Sequence, residues 1–209
     1  GYSLANSGVS YNASAGTAVF GGDHTTFNTL KNLNLRWYDS LTLECFVKSA
    51  PAATIQMIME ISTNAALTQG TSYLSAHANP GPADSVFTTA IYPYFGGKSY
   101  KYNQDLSVAG KALTDGKWHH LAFVIDSAQS GADRAKLYLD RAPQSVPSAN
   151  ISDLAVDFFN ATLYIGSRGN SEYKFTGEMD DVRISGAALT TDQFLQVRSS
   201  PQGTLLSLR

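Results

Sequence analysis

Cysteine, charged residues and long apolar runs are all scarce in this sequence, and each scarcity excludes a class of protein. The single cysteine among 209 residues, Cys45, excludes an intramolecular disulfide and a cysteine-based zinc site. Charged residues make up only 15% of the sequence, and its net charge is -2. A typical nucleic-acid-binding domain has an excess of basic residues instead. No apolar run approaches the roughly 18 residues of a membrane-spanning helix. We therefore expect neither a nucleic-acid partner nor a membrane span.

Short runs in which apolar and polar residues alternate dominate the rest of the sequence. Alternation with a period of two is typical of half-buried strands, and turn-forming glycine, proline, asparagine and aspartate separate the runs. The predicted strands cover residues 41–47, 55–61, 86–92, 100–106, 118–126, 135–140, 162–166 and 175–185. The strand over 86–92 is predicted to stop at Pro93. We predict an all-β fold, a two-sheet antiparallel sandwich that forms a single domain over residues 1–209.

One segment near the end of the sequence has the pattern of a helix. Thr190 and Gln193 have the spacing of a capping box, and Phe194 and Val197 provide a short apolar stripe before Pro201. We therefore predict one short C-terminal helix beside the sheets.

Several motifs occur in an order that resembles a known family. They are DGKWHHLAFVID at 115–126, KLYLD at 136–140, LYIG at 163–166, FTGEMDDVRI at 175–184 and ALT at 188–190. Together they resemble the laminin-G-like branch of the concanavalin A-like lectin/glucanase superfamily over about residues 19–197. The resemblance implies a jelly-roll β-sandwich of two curved sheets, whose concave face and rim loops often bind carbohydrate or calcium.

The sequence departs from the family pattern at a few positions. Arg141 stands where the family has a glycine after Asp140, which argues against a tight two-residue turn because such turns require positive φ. Ser185 replaces a usual tyrosine, and Gln193 replaces the usual glutamate of the terminal helix. The lone Cys45 cannot form the disulfide of animal laminin-G domains, which favours a bacterial-type or otherwise cysteine-free member.

A glycoside hydrolase site is the main catalytic hypothesis that the resemblance raises. The glucanases of the superfamily carry Glu-x-Asp-x-Glu or Glu-x-Asp-x-x-Glu on one strand, and Glu178 and Asp180 begin this pattern on one face. The second glutamate of the two patterns would fall at position 182 or 183, and these positions hold Val182 and Arg183. Retaining hydrolysis requires two carboxyl groups about 5 to 5.5 Å apart. We therefore predict no catalytic residues and no enzyme activity, and keep a diverged glycoside hydrolase as the least favoured alternative.

His119 and His120 are adjacent on a predicted strand, so their side chains point to opposite faces. The pair cannot bind one metal ion or flank one substrate together. We predict that one ring packs beside Trp118 or in the core and that the other hydrogen-bonds a neighbouring loop.

Calcium is the cofactor that the resemblance suggests. Aspartate is common in turns, where its carboxylate can join backbone carbonyls around a hard cation. By analogy with sandwich lectins, we predict a structural Ca²⁺ ion with Asp23 and Asp180 as ligands. The alternative is that these aspartates only stabilise turns.

Tyrosines are concentrated in one predicted hairpin. An aromatic ring offers a flat apolar face to the C–H groups of a sugar, and tyrosine adds a polar tip. The predicted carbohydrate-binding residues are Tyr92, Tyr94, Tyr100, Tyr102 and Asn103. The alternative is that the tyrosines form cross-strand pairs that stabilise the sheet.

These patterns favour a non-catalytic, lectin-like module that binds carbohydrate and is stabilised by calcium. The alternative is a protein-interaction or adhesion module of the same fold, so the expected partner is a glycan or an extracellular or cell-surface protein. Because the sequence begins at Gly1 rather than at methionine, we expect that a leader was removed. The protein is then secreted or at the cell surface, in the bacterial periplasm or exterior.

Overall fold

The computed structural model describes the parts of the chain that form two β-sheets and the turns beside them. The described residues are 4–21, 26–29, 40–49, 55–62, 72–79, 88–95, 98–99, 102–103, 115–144, 162–167, 173–196, 198 and 206–208. Within these ranges there is no α-helix, and one short 3-10 helix covers Gly131–Arg134. None of the helical structure in the described ranges is long and apolar enough to cross a lipid bilayer.

The first sheet contains eight of the described strands. They are β1 (Leu4–Ser7), β4 (Thr26–Thr29), β6 (Ile55–Ser62), β7 (Ser72–Asn79), β8 (Thr88–Phe95), β9 (Lys98–Ser99), β10 (Tyr102–Asn103) and β14 (Thr162–Ile165). Their order across the sheet is β1-β4-β14-β6-β7-β8-β10, and β9 also pairs with β8. All of these pairs are antiparallel.

The second sheet contains the other eight described strands. They are β2 (Ser10–Asn12), β3 (Thr17–Gly21), β5 (Leu41–Ser49), β11 (Trp118–Ile125), β12 (Ala135–Leu139), β13 (Ala142–Pro143), β15 (Thr176–Ser185) and β16 (Leu206–Leu208). Their order is β13-β12-β11-β5-β15-β3-β2, and β16 also pairs with β15. The β15–β16 pair is parallel, whereas the other pairs of this sheet are antiparallel.

One apolar core joins the two sheets. Strand alternation puts Leu43, Cys45 and Val47 of β5 on the same side, and all three are buried in the core. The first sheet contributes Ile58 and Ile61 to the same cluster. We call the opposite side of the second sheet its outer face. The predicted all-β, two-sheet sandwich is therefore confirmed, and the predicted burial of Cys45 is confirmed with it.

The predicted end of one strand at Pro93 is wrong. Strand β8 continues to Phe95, and Pro93 pairs with Leu74 of β7. β8 also pairs with two short strands. β9 pairs with β8 at Tyr94 and Phe95, and β10 pairs with it at Ala90 and Ile91, so Pro93 lies between the two paired segments. Proline has no backbone N–H group, and in sheets it is confined to edges and to interruptions of the hydrogen-bond ladder.

The doubt about a tight turn at Arg141 is also wrong. Asp140 and Arg141 have φ values of 51° and 64° and connect β12 to β13 without a glycine. The carboxylate of Asp140 accepts a hydrogen bond of 3.0 Å from the His120 backbone N–H. This long-range contact offsets part of the cost of a left-handed conformation in a non-glycine residue.

The predicted C-terminal helix does not form. In the described residues 190–196, the Gln193 N–H bonds the Thr190 carbonyl, which closes one turn only. The Thr190 N–H donates to the Gln193 side chain, as the capping pattern predicts. The Leu195 N–H then donates to the Glu44 carboxylate instead of a helical carbonyl, so the sheet takes the group that would extend the helix.

Candidate functional site

Glu178 of β15 is held by two neighbouring strands. Its Oε2 accepts a 2.6 Å hydrogen bond from the Thr17 hydroxyl, and its Oε1 lies 3.0 Å from the Lys48 ammonium. The hydrogen bond from Thr17 lowers the pKa of Glu178, and Lys48 lowers it further, although partial burial opposes this shift. Glu178 is therefore a charged carboxylate that ties β15 to β3 and β5.

Asp180, two residues further on, is only 2% exposed. Its Oδ1 accepts the Asp181 N–H, and its buried Oδ2 has no hydrogen-bond partner among the described residues. Burial, and then the charge of Asp181, raise the pKa of Asp180 to about 6. Arg198 Nη1 is 3.9 Å from Oδ2, and the guanidinium of Arg198 also packs over the Trp118 ring.

The strand that carries these two acids has no glutamate at the expected catalytic position. Val182 is buried in the core, and the Arg183 guanidinium pairs with Glu44 on the outer face. Pairs of acids whose pKa values are pushed apart occur in catalytic sites. Here Glu178 is engaged by Thr17 and Lys48, and the side chain of Asp180 is buried.

The described residues contain no cluster of acidic side chains around which calcium would bind. Calcium takes about six to eight oxygen ligands. No group of three or more acidic, histidine or cysteine residues in the described ranges is placed to hold a metal ion. Asp180 has Arg198 near its buried oxygen, and Asp23 lies outside the described residues. The calcium site at Asp23 and Asp180 stays a prediction.

His119 lies between two carboxylates. Its Nδ1 is 2.8 Å from Asp140 Oδ2, and its Nε2 is 2.9 Å from Asp115 Oδ1. The hydrogen bond to Asp140 raises the pKa of His119, and the one to Asp115 raises it further, although burial opposes this shift. Burial opposes ionisation of Asp115, but hydrogen bonds from His119 and Lys117 hold its pKa at about 2. Both ring nitrogens are thus occupied by structural contacts.

His120 faces the other way, into a buried polar network on the outer face. Its Nε2 is 2.9 Å from Glu44 Oε2, and its ring packs against Phe46 and Phe194. Glu44 is fully buried, and Arg183 Nε donates to its other oxygen over 2.6 Å. Burial opposes ionisation of Glu44, but hydrogen bonds from His120, Leu195 and Arg183 lower its pKa. The prediction that the two histidines occupy opposite faces and have separate structural contacts is confirmed.

The residues after β15, 186–196, cross the outer face, and we call them the C-terminal turn. The Thr42 hydroxyl donates to the Ala187 carbonyl over 2.7 Å and accepts the Leu189 N–H over 3.0 Å. Further along the turn, Arg183 Nη2 donates to the Gln193 carbonyl over 2.7 Å. Side chains of β5 and β15 therefore fix this turn on the sheet.

A groove of about 470 Å³ lies on the outer face between the C-terminal turn and the residues that follow β11. We call it the outer groove. Its apolar lining comes from Val124, Tyr138 and Leu189, and its polar lining includes Asp126 and Gln129. This volume lies within the range of about 300 to 1,000 Å³ that is typical of ligand sites.

The outer groove was missed from the sequence, although a signal for it exists. Val124 and Asp126 alternate with core positions of the DGKWHHLAFVID motif, and Tyr138 does so in KLYLD. Such alternation places residues on the outer face but does not predict that a turn 50 residues later will form the other wall.

Four of the five predicted sugar-binding residues lie on the first sheet. Tyr92 and Tyr94 belong to β8, and Tyr102 and Asn103 form β10, which pairs with β8. Tyr100 lies outside the described residues. The backbone register thus brings four of the five residues onto adjacent strands, and their carbohydrate-binding role stays a prediction.

Comparison with solved structures finds the same fold in several proteins at low sequence identity. The native heptameric SAP-like pentraxin from Limulus polyphemus has a TM-score of 0.60 at 14% identity, covering 95% of this chain and 90% of that chain. Domain 4 of AbnA, an extracellular GH43 arabinanase from Geobacillus stearothermophilus, has a TM-score of 0.57 at 16% identity, covering 92% of this chain and 85% of that chain. The botulinum neurotoxin serotype D binding domain has a TM-score of 0.60 at 12% identity, covering 91% of this chain and 45% of that chain.

Sequence comparisons give one family and no close relative. No curated protein matches the sequence. A family model described as the concanavalin A-like lectin/glucanases superfamily matches residues 20–194, most of the chain. The two-sheet architecture and the predicted resemblance agree with that match. This chain therefore belongs to the concanavalin A-like lectin/glucanase superfamily.

Proposed function

We propose that this chain is a non-catalytic carbohydrate-binding module that acts outside the cell, as a secreted or cell-surface protein. The observation that carries the proposal is the outer groove, which combines an aromatic ring, Tyr138, with the polar side chains of Asp126 and Gln129. This combination suits a sugar ligand, because an aromatic ring packs on the C–H groups of the sugar and polar side chains hydrogen-bond its hydroxyls.

One similar structure supports a saccharide ligand. Domain 4 of the arabinanase AbnA has been solved in complex with arabinotriose. At 16% identity this likeness concerns the fold alone, so it supports saccharide binding as a use of the fold and does not identify the sugar.

The absence of catalysis is part of the proposal. A retaining mechanism requires an acid and a nucleophile on either side of the scissile bond. Glu178 bonds Thr17 and Lys48, and Asp180 is buried against its own strand. These contacts favour a structural role for the acid pair.

The tyrosine-rich hairpin remains a second proposed contact surface, and its described residues belong to β8 and β10. Its residues are Tyr92, Tyr94, Tyr100, Tyr102 and Asn103. A Ca²⁺ ion bound by Asp23 and Asp180 also remains a proposal. An extracellular protein is the alternative partner.

Affinity electrophoresis in gels that contain a soluble polysaccharide tests the proposed function. We expect at least one of arabinan, xylan, β-glucan and galactomannan to retard the chain relative to bovine serum albumin. Retardation by none of them, and no signal on a glycan array, would contradict carbohydrate binding. Release of reducing ends from the retained polysaccharide, abolished by Glu178→Gln, would contradict the non-catalytic part of the proposal.

A further inference from the structure

The outer groove has the composition of a site for one uncharged sugar residue. We infer that it binds such a residue of the target glycan, with the Tyr138 ring as the platform on which the sugar packs. This inference rests on the proposed carbohydrate-binding function and deepens it, because it names the surface and the charge class of the ligand.

The Tyr138 ring is fixed before any ligand arrives. It packs edge-on against Phe194, with ring centroids 5.0 Å apart and planes at 71°. Phe194 is 2% exposed and in turn packs against His120, with centroids 5.6 Å apart. Tyr138 itself is only partly buried and lines the groove. A ring held in this way loses little conformational entropy on binding.

The polar lining retains hydrogen-bonding capacity. In the described part of the chain, the Tyr138 hydroxyl, the Gln129 amide and the Thr191 hydroxyl make no hydrogen bond within the protein. One oxygen of Asp126 accepts the Ala128 N–H over 3.0 Å, and the other accepts no hydrogen bond from a described residue. These groups supply both donors and acceptors, as the hydroxyls of a sugar require.

The charges around the groove distinguish between classes of sugar. The lining holds the carboxylates of Asp126 and Asp133 and the ammonium of Lys136. Lys136 Nζ lies 3.1 Å from Asp133 Oδ1, so these two charges neutralise each other and Asp126 leaves the groove net negative. A carboxylate or sulfate on the ligand would meet this like charge, which costs binding free energy. An uncharged sugar avoids that repulsion.

The walls of the groove are rigid for independent reasons. On one side, Thr42 bonds both Ala187 and Leu189 of the C-terminal turn. On the other side, the Asp126 N–H donates to the Arg134 carbonyl over 2.8 Å, and the Gln129 N–H donates to the Asp126 carbonyl over 3.2 Å. Ligand binding therefore does not need to order either wall.

The experiment measures dissociation constants for the four neutral polysaccharides by affinity electrophoresis, with a sialylated mucin as the anionic comparison. We expect Tyr138→Ala to weaken retention by about tenfold or more, as aromatic anchors of binding sites do. Gln129→Ala changes an exposed side chain without internal hydrogen bonds, so it tests the groove without a risk to folding, and we expect about threefold weaker binding. Wild-type retention by mucin should be weaker than by the retained neutral polysaccharide.

Tyr11→Ala is the matched control, because it removes an exposed tyrosine from β2, which is far from β12 in the strand order, and we expect it to leave retention unchanged. Tyr102→Ala in the hairpin identifies binding at the second proposed surface. If Tyr102→Ala abolishes retention while Tyr138→Ala and Gln129→Ala bind as wild type, the groove inference is overturned and carbohydrate binding stands. Stronger retention by mucin than by every neutral polysaccharide also overturns the inference. If no polysaccharide and no mucin retards the wild-type chain, the proposed function itself fails.

Discussion

His119 and Glu44 show how single polar side chains are stabilised inside the second sheet. His119 bonds Asp115 and Asp140, and Glu44 bonds His120 and Arg183. These two side chains thus each have partners of opposite charge, and removing one partner would leave the other group unpaired. Breaking a fully buried pair such as Glu44 and His120 typically costs about 3 to 5 kcal/mol.

The paired His119 should make stability depend on pH. Its pKa is raised in the folded state, so its contribution is complete below the unfolded pKa of about 6.5 and is lost as pH rises through the folded pKa. Asp115, with a folded pKa of about 2, contributes above about pH 4 and loses this as pH falls. We expect the contribution of His119 and Asp115 to the unfolding free energy to be highest between about pH 4 and 6.5 and to fall toward pH 9.

Urea denaturation of the wild type and of His119→Gln at pH 5.5 and pH 9 measures this effect. The variant should be less stable by about 1 to 2 kcal/mol at pH 5.5, since charge-assisted hydrogen bonds are lost. At pH 9 the difference should shrink. Equal differences at the two pH values would show that His119 does not carry the dependence.

At the level of residues, the sequence predicts faces better than partners. Strand parity alone separates His119 from His120, and the structure confirms it. The partners were not predicted, because Glu44 is 76 residues from His120 and Asp140 is 21 residues from His119. Such contacts depend on strand order, which alternation does not specify.

Among the elements, the turn between β12 and β13 has a conformation that its residues seldom adopt. Asp140 and Arg141 both have positive φ, yet their side chains differ in their contacts. The Asp140 carboxylate bonds His119 and the His120 N–H, whereas among the described residues Arg141 hydrogen-bonds only the exposed side chain of Gln196. The turn is therefore stabilised by its first residue.

Glycine substitutions should have unequal effects at these two positions. Arg141→Gly removes a left-handed non-glycine residue and one exposed contact, so we expect a stability within about 1 kcal/mol of the wild type. Asp140→Gly also relieves the backbone but removes two hydrogen bonds, so we expect a loss of about 1 to 3 kcal/mol. Urea denaturation of both variants at pH 6 compares them directly, and a larger loss for Arg141→Gly would contradict this account.

Strands were easier to predict than their boundaries and connections. Alternation of apolar residues predicts β5, β6, β11, β12, β14 and β15 within a few residues. The C-terminal helix was predicted from a real capping pair, Thr190 and Gln193, but Glu44 and Arg183 bond the backbone that a helix would use. Local propensity is overridden there by contacts from distant strands.

For the whole molecule, the composition and the motif order predict the two-sheet sandwich, and the structure and the family match confirm it. The outer groove requires β11, β12 and the C-terminal turn to meet, so it depends on the complete topology. A single domain over residues 1–209 stays a prediction.

Cys45 should report the stability of the complete sandwich. It is fully buried in β5, between β11 and β15, and burial raises the pKa of its thiol. We expect iodoacetamide to modify it only when the core opens globally. Mass spectrometry should find that the labelling rate rises with urea along the slope of global unfolding. A labelling rate that does not change with urea at low urea concentrations would instead indicate a local opening. The chain unfolded in urea serves as the control that gives the maximal labelling rate.

Strand β15 has two different neighbours along one side. Residues Thr176 to Met179 pair with β3, and residues Val182 to Ile184 pair in parallel with β16. The register with β5 shifts between Asp180 and Arg183, at the point where one neighbour gives way to the other. An early strand, β3, and the last strand of this sheet, β16, thus share β15 as a common neighbour, so a defect in β15 would weaken the attachment of both chain ends to the sheet.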